Sequence, residues 1–428
     1  MTVTDIPNII DVYKSGSNTD AGTVGHLTDA QQQCLKEMWV KILAHFEATA
    51  SKPIKVTHSQ IQPDSLESAG VAIDDADAVD QWYNANLEQA GDIKTQTVRD
   101  KMHLNGVREA VVPGAFKPLF SDEQATRTFA NTFWQTCMLY SNPDSYLLMF
   151  LRATSWKVDV AFERLVKSIE WRASQAIDKL MWDGDGSIHH KMIDDGLIVR
   201  AGKDKLGNPV VIVRVKLSIP RERAGGIAEK FAAYSLEQTA MIARSYSERA
   251  TLVYDFTGFK RENMDLTFIK TLLNMISESY PQMLSVTILH ANSWLFSGFW
   301  RIISSWLDPL VAKRTVIAKD INELQAFMDK PEILTDMGGT LEHEYKYVYP
   351  TKEENTKMFD IDERLRAEIE LKTAADAFFE TTKEWIAKPK VGGYADQARL
   401  QAAAAFHAAA LRLDPFIRAR FLAERTVC

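Results

Sequence analysis

Side chains of the metal-binding kinds cluster at two neighbouring places in this sequence. His189-His190 precedes Asp194-Asp195, and imidazole and carboxylate groups are the ligands that zinc and similar ions take in proteins. The run Asp183–Ser187 has the acidic spacing that opens a calcium-binding loop, but Ile188 stands at the sixth position, where the loop turns sharply and needs glycine. A polar loop is the commoner structure for both stretches, so we predict no metal site.

The motifs of the common enzyme classes do not occur in the sequence. It contains no GxSxG nucleophile elbow, no P-loop and no HExxH pair. No glycine-rich phosphate loop follows the first predicted strand, which argues against a nucleotide-binding enzyme. The three cysteines, Cys34, Cys137 and Cys428, are far apart and form no CxxC pair, as is typical of a reducing compartment. We therefore predict a protein that is not an enzyme.

Composition places the 428-residue chain among ordinary globular proteins, with 46% hydrophobic and 25% charged residues. Its net charge of −7 argues against nucleic acid as a partner, because proteins that bind nucleic acid usually carry a basic surface. The first residues lack the basic and apolar regions of a secretory signal. These features predict a cytosolic protein.

One nearly apolar stretch, Trp294–Leu307, has the pattern of an amphipathic helix. Ser293 can cap its start, and Asp308-Pro309 breaks its end. With about 14 residues it is shorter than the roughly 20 that cross a bilayer. Two interpretations stay open: a helix buried in the core, or a mobile lid over an apolar cavity. The three tryptophans favour the lid, because tryptophan prefers sites that are partly wet and partly apolar.

Strands and helices alternate through the middle of the chain. Runs rich in β-branched residues predict strands at Pro209–Leu217, Thr251–Phe256, Ser285–His290 and Thr315–Ala318. Apolar residues at helical spacing predict helices between them, at Ile227–Tyr246 and Leu266–Tyr280. Further helices precede the strands, where Thr28 and Asp159 can cap two of them, and follow Pro350. The alternation predicts an α/β fold with a parallel or mixed sheet covered by helices.

Several short motifs follow one another in a fixed order along the chain. They are Leu147–Ala153, Lys157–Val160, Glu170–Arg172, Gly207–Val210, Asp255–Phe259, Tyr280-Pro281, Trp294–Phe296, Trp306–Pro309 and Gly338-Gly339. Together they resemble the CRAL-TRIO family, which includes the yeast-type phosphatidylinositol transfer proteins, over about residues 144–339. The flanking motifs, His26–Thr28, Met38-Trp39 and Leu413–Arg420, are similar to a long fungal subgroup of that family.

The resemblance implies a helical N-terminal lobe beside an α/β lobe whose sheet floors a large apolar pocket. Together with the composition along the chain, it predicts a flexible tail at 1–25, a helical lobe at 26–180 with a flexible insert at about 47–80, a lipid-binding domain at 181–345 and a C-terminal helical extension at 346–428. The segment Trp294–Leu307 corresponds to a gate over the pocket, which favours the lid. The implied pocket and gate residues are Ala250, Leu252, Tyr254, Trp294, Leu295, Phe296, Phe299, Trp300, Ile303, Trp306 and Leu307.

The resemblance also implies three residues for a phosphatidylinositol headgroup. Lys157 matches one cation of a basic pair that family members carry before a helix. Arg314 stands for a lysine that meets the phosphate, and arginine can hold phosphate bidentately. Val311 replaces the accompanying threonine, so that hydroxyl is missing. Gln282 stands for an acidic residue and can still hydrogen-bond an inositol hydroxyl.

The expected function is therefore to bind one lipid in a gated pocket and to transfer it between membranes or present it. Ala250 and Leu252 stand where relatives that take phosphatidylcholine carry hydroxyl residues, so phosphatidylinositol is favoured. The alternatives are a carrier or sensor of a neutral isoprenoid such as a sterol precursor, and a relative that holds haem. The expected partners are the lipid and a transiently visited membrane, with the endoplasmic reticulum, endosomes and lipid droplets as candidates. The sequence identifies no protein partner.

Overall fold

The computed structural model describes residues 22–50, 52–56, 117–119, 127–188, 190–219, 226–244, 246, 248–291, 293–351, 353–388 and 396–425. Most of the predicted tail and residues 57–80 of the predicted insert lie outside these ranges. Within them, two boundaries are corrected. The first helix continues to Thr49, so the insert does not begin at residue 47. The chain at Gly22 is also held in place, because its carbonyl oxygen accepts a hydrogen bond from Arg152 at 2.8 Å.

The N-terminal lobe consists of helices, as predicted. They are α1 (Asp29–Thr49), α2 (Phe129–Cys137), α3 (Pro143–Ala153), α4 (Val158–Ser174), α5 (Ile177–Asp183) and the short α6 (His190–Asp194). Thr28 caps α1 through a reciprocal capping box with Gln31, which satisfies two backbone N–H groups that the helix cannot. Asp159 does not cap α4 as predicted: Lys157 holds the cap position, and Asp159 lies in the first turn.

A five-stranded mixed sheet follows, with its strands in sequence order. They are β1 (Ile198–Lys203), β2 (Pro209–Arg214), β3 (Ala250–Asp255), β4 (Leu284–His290) and β5 (Thr315–Ala318). The strand β1 pairs antiparallel with β2, and all the other pairs are parallel. The predicted α/β class and mixed sheet are confirmed. Of the predicted strands, Pro209–Leu217 is too long, since a short 3₁₀ turn begins at Val215.

Parallel strands need crossovers, which helices supply here. They are α7 (Ile227–Arg244), α8 (Leu266–Ser279), α9 (Trp294–Ile303) and α10 (Pro309–Lys313). One face of the sheet packs against the segment that follows β5, including α11 (Ile321–Leu324), through residues such as Val253, Ile288 and Phe327. The other face is turned towards α7, α8 and α9.

The helical lobe is joined to the sheet lobe by a buried charge cluster. Arg172 of α4 makes two hydrogen bonds to the carboxylate of Glu237 on α7, at 2.8 and 2.7 Å. The hydroxyl of Tyr280 donates to the same carboxylate at 2.7 Å. All three side chains are nearly inaccessible to solvent, so this cluster fixes the position of α7 relative to the helical lobe.

The C-terminal extension contains α12 (Ile361–Ala387), α13 (Gln397–Ile417) and the short α14 (Leu422–Arg425). The two long helices run antiparallel, since Arg399 bonds to Thr382 near one end and Arg412 pairs with Glu370 near the other. Arg399 also forms a buried ion pair with Asp144 of α3, and the indole N–H of Trp39 donates to the same carboxylate at 2.8 Å. The extension is thereby anchored to the helical lobe.

Candidate functional site

A cavity of about 400 Å³ lies between the sheet and the crossover helices. Its floor follows from strand alternation, because every second side chain of a strand points to the same face. Two rows of register partners form the floor: Ile198, Val213, Tyr254 and Leu289 in one, and Val211, Leu252, Thr287 and Thr315 in the other. The floor therefore crosses all five strands, and most of it is apolar.

The walls of the cavity come from one face each of α7 and α8. Their lining residues recur at three- and four-residue spacing, as expected for a helix that turns one side to a partner. They are Ala228, Phe231, Ala232, Ser235, Leu236 and Thr239 on α7, and Phe268, Ile269, Leu272, Leu273 and Ile276 on α8. The hydroxyl of Thr239 donates to the carbonyl of Ser235 at 2.7 Å, so its hydrogen is already used within the helix and needs no partner in the cavity.

The helix α9 closes the cavity, and we name it the gate helix. The Ser293 hydroxyl caps its start by accepting the N–H of Phe296 at 3.2 Å. Its inner face carries Phe296, Phe299 and Ile303, all less than a tenth exposed. The ring centroid of Phe296 lies 4.6 Å from that of Phe256. Aromatic contact thus holds the gate helix over the sheet.

The outer face of the gate helix remains exposed. Ile302 is 44% accessible, and Trp306, just beyond the end of the helix, is 37% accessible. The segment is therefore not buried on all sides, and its movement as a lid stays a prediction. The helix is also shorter than predicted, ending at Ile303, but Trp306 and Leu307 still line the cavity.

Most of the predicted pocket residues line the cavity. They are Leu252, Tyr254, Phe296, Phe299, Trp300, Ile303, Trp306 and Leu307. Ala250 does not; it is buried at the start of β3, where its N–H donates to the carbonyl of Met283. Leu295 faces a shallow outer groove between the gate helix and the start of α8. Trp294 begins the gate helix, and its side chain is outside the described set.

The predicted headgroup residues are not brought together at the cavity. Lys157 is exposed at the start of α4. Gln282 has a left-handed backbone, with φ of 58°, and its side-chain oxygen accepts a hydrogen bond from Arg152 at 3.0 Å. Arg314 donates to the backbone carbonyl of Ser285 at 3.3 Å. None of the three is among the described residues that line the cavity.

Sequence reasoning missed the role of Arg152. Its guanidinium joins Gln282 to the Gly22 carbonyl, so it links the helical lobe both to the turn before β4 and to the N-terminal segment. The residue lies within the motif Leu147–Ala153, but that motif gave no sign of which residue Arg152 would contact.

The lining is mostly apolar, and its polar residues include Asp265, Asn274 and Asp308. Thr315 donates its hydroxyl to the carbonyl of Val311 at 2.8 Å. Burial raises the pKa of Tyr254 to about 12, so its phenol stays protonated at physiological pH. The described lining contains neither histidine nor cysteine. The expectation of no cofactor other than the bound lipid, with haem as the alternative, stays untested.

The acidic run that resembles a calcium loop has another role. The Asp185 carboxylate accepts hydrogen bonds from Tyr234 at 2.6 Å and from Tyr347 at 2.7 Å, and it also pairs with Arg425. It is thus occupied by protein donors. No group of three or more potential metal ligands occurs in the part of the chain that the structure describes, and His189 lies outside that part. Within the same ranges, no helix is both long and apolar enough to span a bilayer.

Comparisons with known proteins find matching family models, sequence relatives and a solved structure. The CRAL/TRIO domain matches residues 193–339, and the CRAL/TRIO N-terminal domain matches residues 113–167. The CRAL-TRIO domain-containing protein C3H8.02 of Schizosaccharomyces pombe is 27% identical over 423 residues, which cover 95% of this chain and 91% of the relative. Phosphatidylinositol transfer protein CSR1 of Eremothecium gossypii is 23% identical over 432 residues, covering 93% and 96%. The crystal structure of Sfh5 aligns with a TM-score of 0.39 and 14% identity, covering 59% of this chain and 93% of that one.

Proposed function

Because this chain belongs to the CRAL-TRIO family, we propose that it binds a single lipid molecule beneath the gate helix and carries it between membranes, without making or breaking a covalent bond. The observation that carries this proposal is an apolar cavity of about 400 Å³ closed by a short helix with an aromatic inner face. Its volume is within the range of small-molecule sites in proteins.

Physical chemistry explains why such a cavity suits transfer. Each methylene group that leaves water for an apolar site contributes about 0.8 kcal/mol, which for two acyl chains amounts to roughly 20 kcal/mol. A lipid held in this way does not escape into water at a useful rate. Exchange then takes place at a membrane, where the gate helix can leave the cavity without exposing its inner face to water.

The outer surface around the gate helix suits a membrane. Leu266, at the start of α8, is 37% exposed, and with Ile302 and Trp306 it gives this side several exposed apolar side chains. Residues 198–318, from the first strand to the last, carry 16 lysines and arginines against 10 acidic residues, whereas the whole chain has a net charge of −7. This segment is therefore locally basic, which favours contact with an anionic membrane surface. The proposed location is therefore the cytosol, with transient contact at a membrane surface.

Phosphatidylinositol is the favoured ligand, since a relative that matches nearly the whole chain is named as a phosphatidylinositol transfer protein. A neutral isoprenoid is the second candidate. It is favoured by the lining itself, which is mostly apolar and to which Lys157, Arg314 and Gln282 do not contribute. Both ligands use the same cavity and the same gate.

Native mass spectrometry, with lipid extraction, of the protein purified from its own host tests the proposal. We expect one bound lipid per chain and transfer of that lipid between vesicles at low protein concentration. Ala232→Trp places an indole inside the cavity and should abolish both, while Glu278→Trp, at an exposed position of α8, should change neither. A folded Ala232→Trp variant that still carries the lipid would contradict the proposed site.

A further inference from the structure

The hydroxyl of Tyr254 holds an unusual position in the cavity. Tyr254 lies on β3, the central strand of five, and its side chain lines the cavity. Its register partners Val213 and Leu289 are apolar and line the cavity with it. It also packs against the apolar cluster that contains Phe299 and Ile303 of the gate helix. The phenol therefore faces the enclosed space beneath the gate.

Two buried tyrosines use their hydroxyls within the protein. Tyr234 donates to Asp185 at 2.6 Å, and Tyr280 donates to Glu237 at 2.7 Å. The Tyr254 hydroxyl, in contrast, makes no hydrogen bond with any residue that the structure describes. A tyrosine hydroxyl that is withdrawn from water usually finds a partner, because leaving the group unpaired costs free energy.

The electrostatic surroundings agree with this geometry. The pKa of Tyr254 is raised to about 12 by burial, with no charged neighbour contributing. The phenol is thus a neutral O–H donor in an apolar space. Water or a ligand oxygen supplies the partner that it lacks among the described residues, and a ligand that displaces the water has to replace that hydrogen bond.

We propose that the Tyr254 hydroxyl donates a hydrogen bond to an oxygen atom of the bound lipid, an ester carbonyl, epoxide, ketone or hydroxyl, so that the site prefers oxygen-bearing lipids over pure hydrocarbons. This rests on the proposed lipid-binding function and narrows its ligand class. Thr287 adds a second polar group on the same floor: it pairs with Leu252, the residue two positions before Tyr254, and is therefore its diagonal neighbour. A lipid oxygen beneath the gate helix would therefore lie close to two hydroxyl groups, those of Tyr254 and Thr287, on a mostly apolar floor.

Tyr254→Phe in the full-length protein, stripped of co-purified lipid, tests the proposal. Three probes are titrated: phosphatidylinositol, squalene, and oxidosqualene, which differs from squalene by one oxygen atom. Loss of one neutral hydrogen bond corresponds to about a fivefold change in Kd. For each oxygen-bearing probe that the wild type binds, we expect Tyr254→Phe to raise the Kd by about fivefold. The Kd for squalene should stay unchanged.

Stability gives an independent readout. Without lipid, Tyr254→Phe should melt at or above the wild-type temperature, because it removes a hydroxyl with no protein partner. The added stability on binding an oxygen-bearing probe should then be smaller than in the wild type. Tyr280→Phe is the matched control: it removes a hydroxyl bonded to Glu237, so it should lower the melting temperature without altering the preference among probes.

The possible outcomes separate the two proposals. If the wild type binds none of the three probes, the proposed lipid-binding function fails, and this inference fails with it. If the wild type binds lipid but Tyr254→Phe leaves every affinity unchanged, only the role of Tyr254 is overturned. A wild type that takes squalene and rejects both oxygen-bearing probes also overturns it.

Discussion

Truncating Phe299 to alanine should release the gate helix while leaving the rest of the protein folded. Phe299 is 4% exposed, and its ring centroid lies 5.1 Å from that of Phe259 and 6.2 Å from that of Phe256. Removing a buried phenylalanine side chain costs about 3–5 kcal/mol. If these contacts exist only while the gate is closed, the ratio of closed to open molecules falls by about two to three and a half orders of magnitude.

Amide hydrogen exchange over residues 294–307 measures this ratio directly. Exchange there should accelerate by the same factor, while the amides of β3 and β4 keep their wild-type protection, because local opening is separate from global unfolding. Ile302→Ala is the control on the same helix: its side chain is 44% exposed, so its effect should stay within about 0.5 kcal/mol.

The reasoning would be refuted if Phe299→Ala lowered the protection of the whole sheet as much as that of residues 294–307. The helix would then unfold only with the rest of the protein and would be a fixed part of the core. Lipid transfer measured on the same samples connects the result to function, since a gate that rests open should release its ligand faster.

Three further outcomes follow from the structure. Ile302→Asp should weaken binding to anionic vesicles without reducing stability, because this side chain is exposed; unchanged vesicle binding would contradict a membrane role for this face. Arg399→Leu should cost about 3–5 kcal/mol in urea unfolding, since it leaves a buried carboxylate without its cation, whereas Arg412→Leu, in an exposed pair, should cost less than about 1 kcal/mol; similar losses for the two variants would contradict this assignment. Burial alone would raise the pKa of Glu424, but the hydrogen bond and charge of Arg418 outweigh it and hold this pKa below its ordinary value of 4.5. The stability from that pair is present above pH 4.5 and is lost as the pH falls through the lower folded-state pKa, so Glu424→Gln should lessen the acid dependence of unfolding; a Gln variant with the wild-type pH profile would show that the pair contributes nothing.

The strands that sequence reasoning found are those with dense β-branched residues. Thr315–Ala318 was predicted with both of its ends correct, and β3 and β4 are each one residue off at one or both ends. The antiparallel strand β1 was missed because Ile198–Lys203 includes a glycine and two charged residues, a composition that is typical of a loop. Such a strand is defined by its pairing with β2, a tertiary fact that a local pattern does not contain.

The headgroup residues could not be located from sequence for a different reason. A matched position fixes the residue type, whereas the direction of the side chain depends on backbone angles and on neighbours far away in the chain. Gln282 is an example. Its backbone is left-handed, and its side chain accepts a hydrogen bond from Arg152, which lies 130 residues earlier in the chain. The cavity lining implied by the resemblance fared better, since matched positions on a strand or helix keep the same face and the pocket needs only apolar side chains there.

The ion pair between Asp144 and Arg399 joins residues 255 positions apart. During synthesis the Asp144 carboxylate must stay hydrated until the ribosome has delivered Arg399, because its buried site in α3 is unfavourable without that cation. The helical lobe, although made first, therefore reaches its full stability only after the C-terminal extension has been made. A nascent chain released early would leave its first half unfinished, so we expect shortened forms of this protein to be substrates for chaperones and proteases.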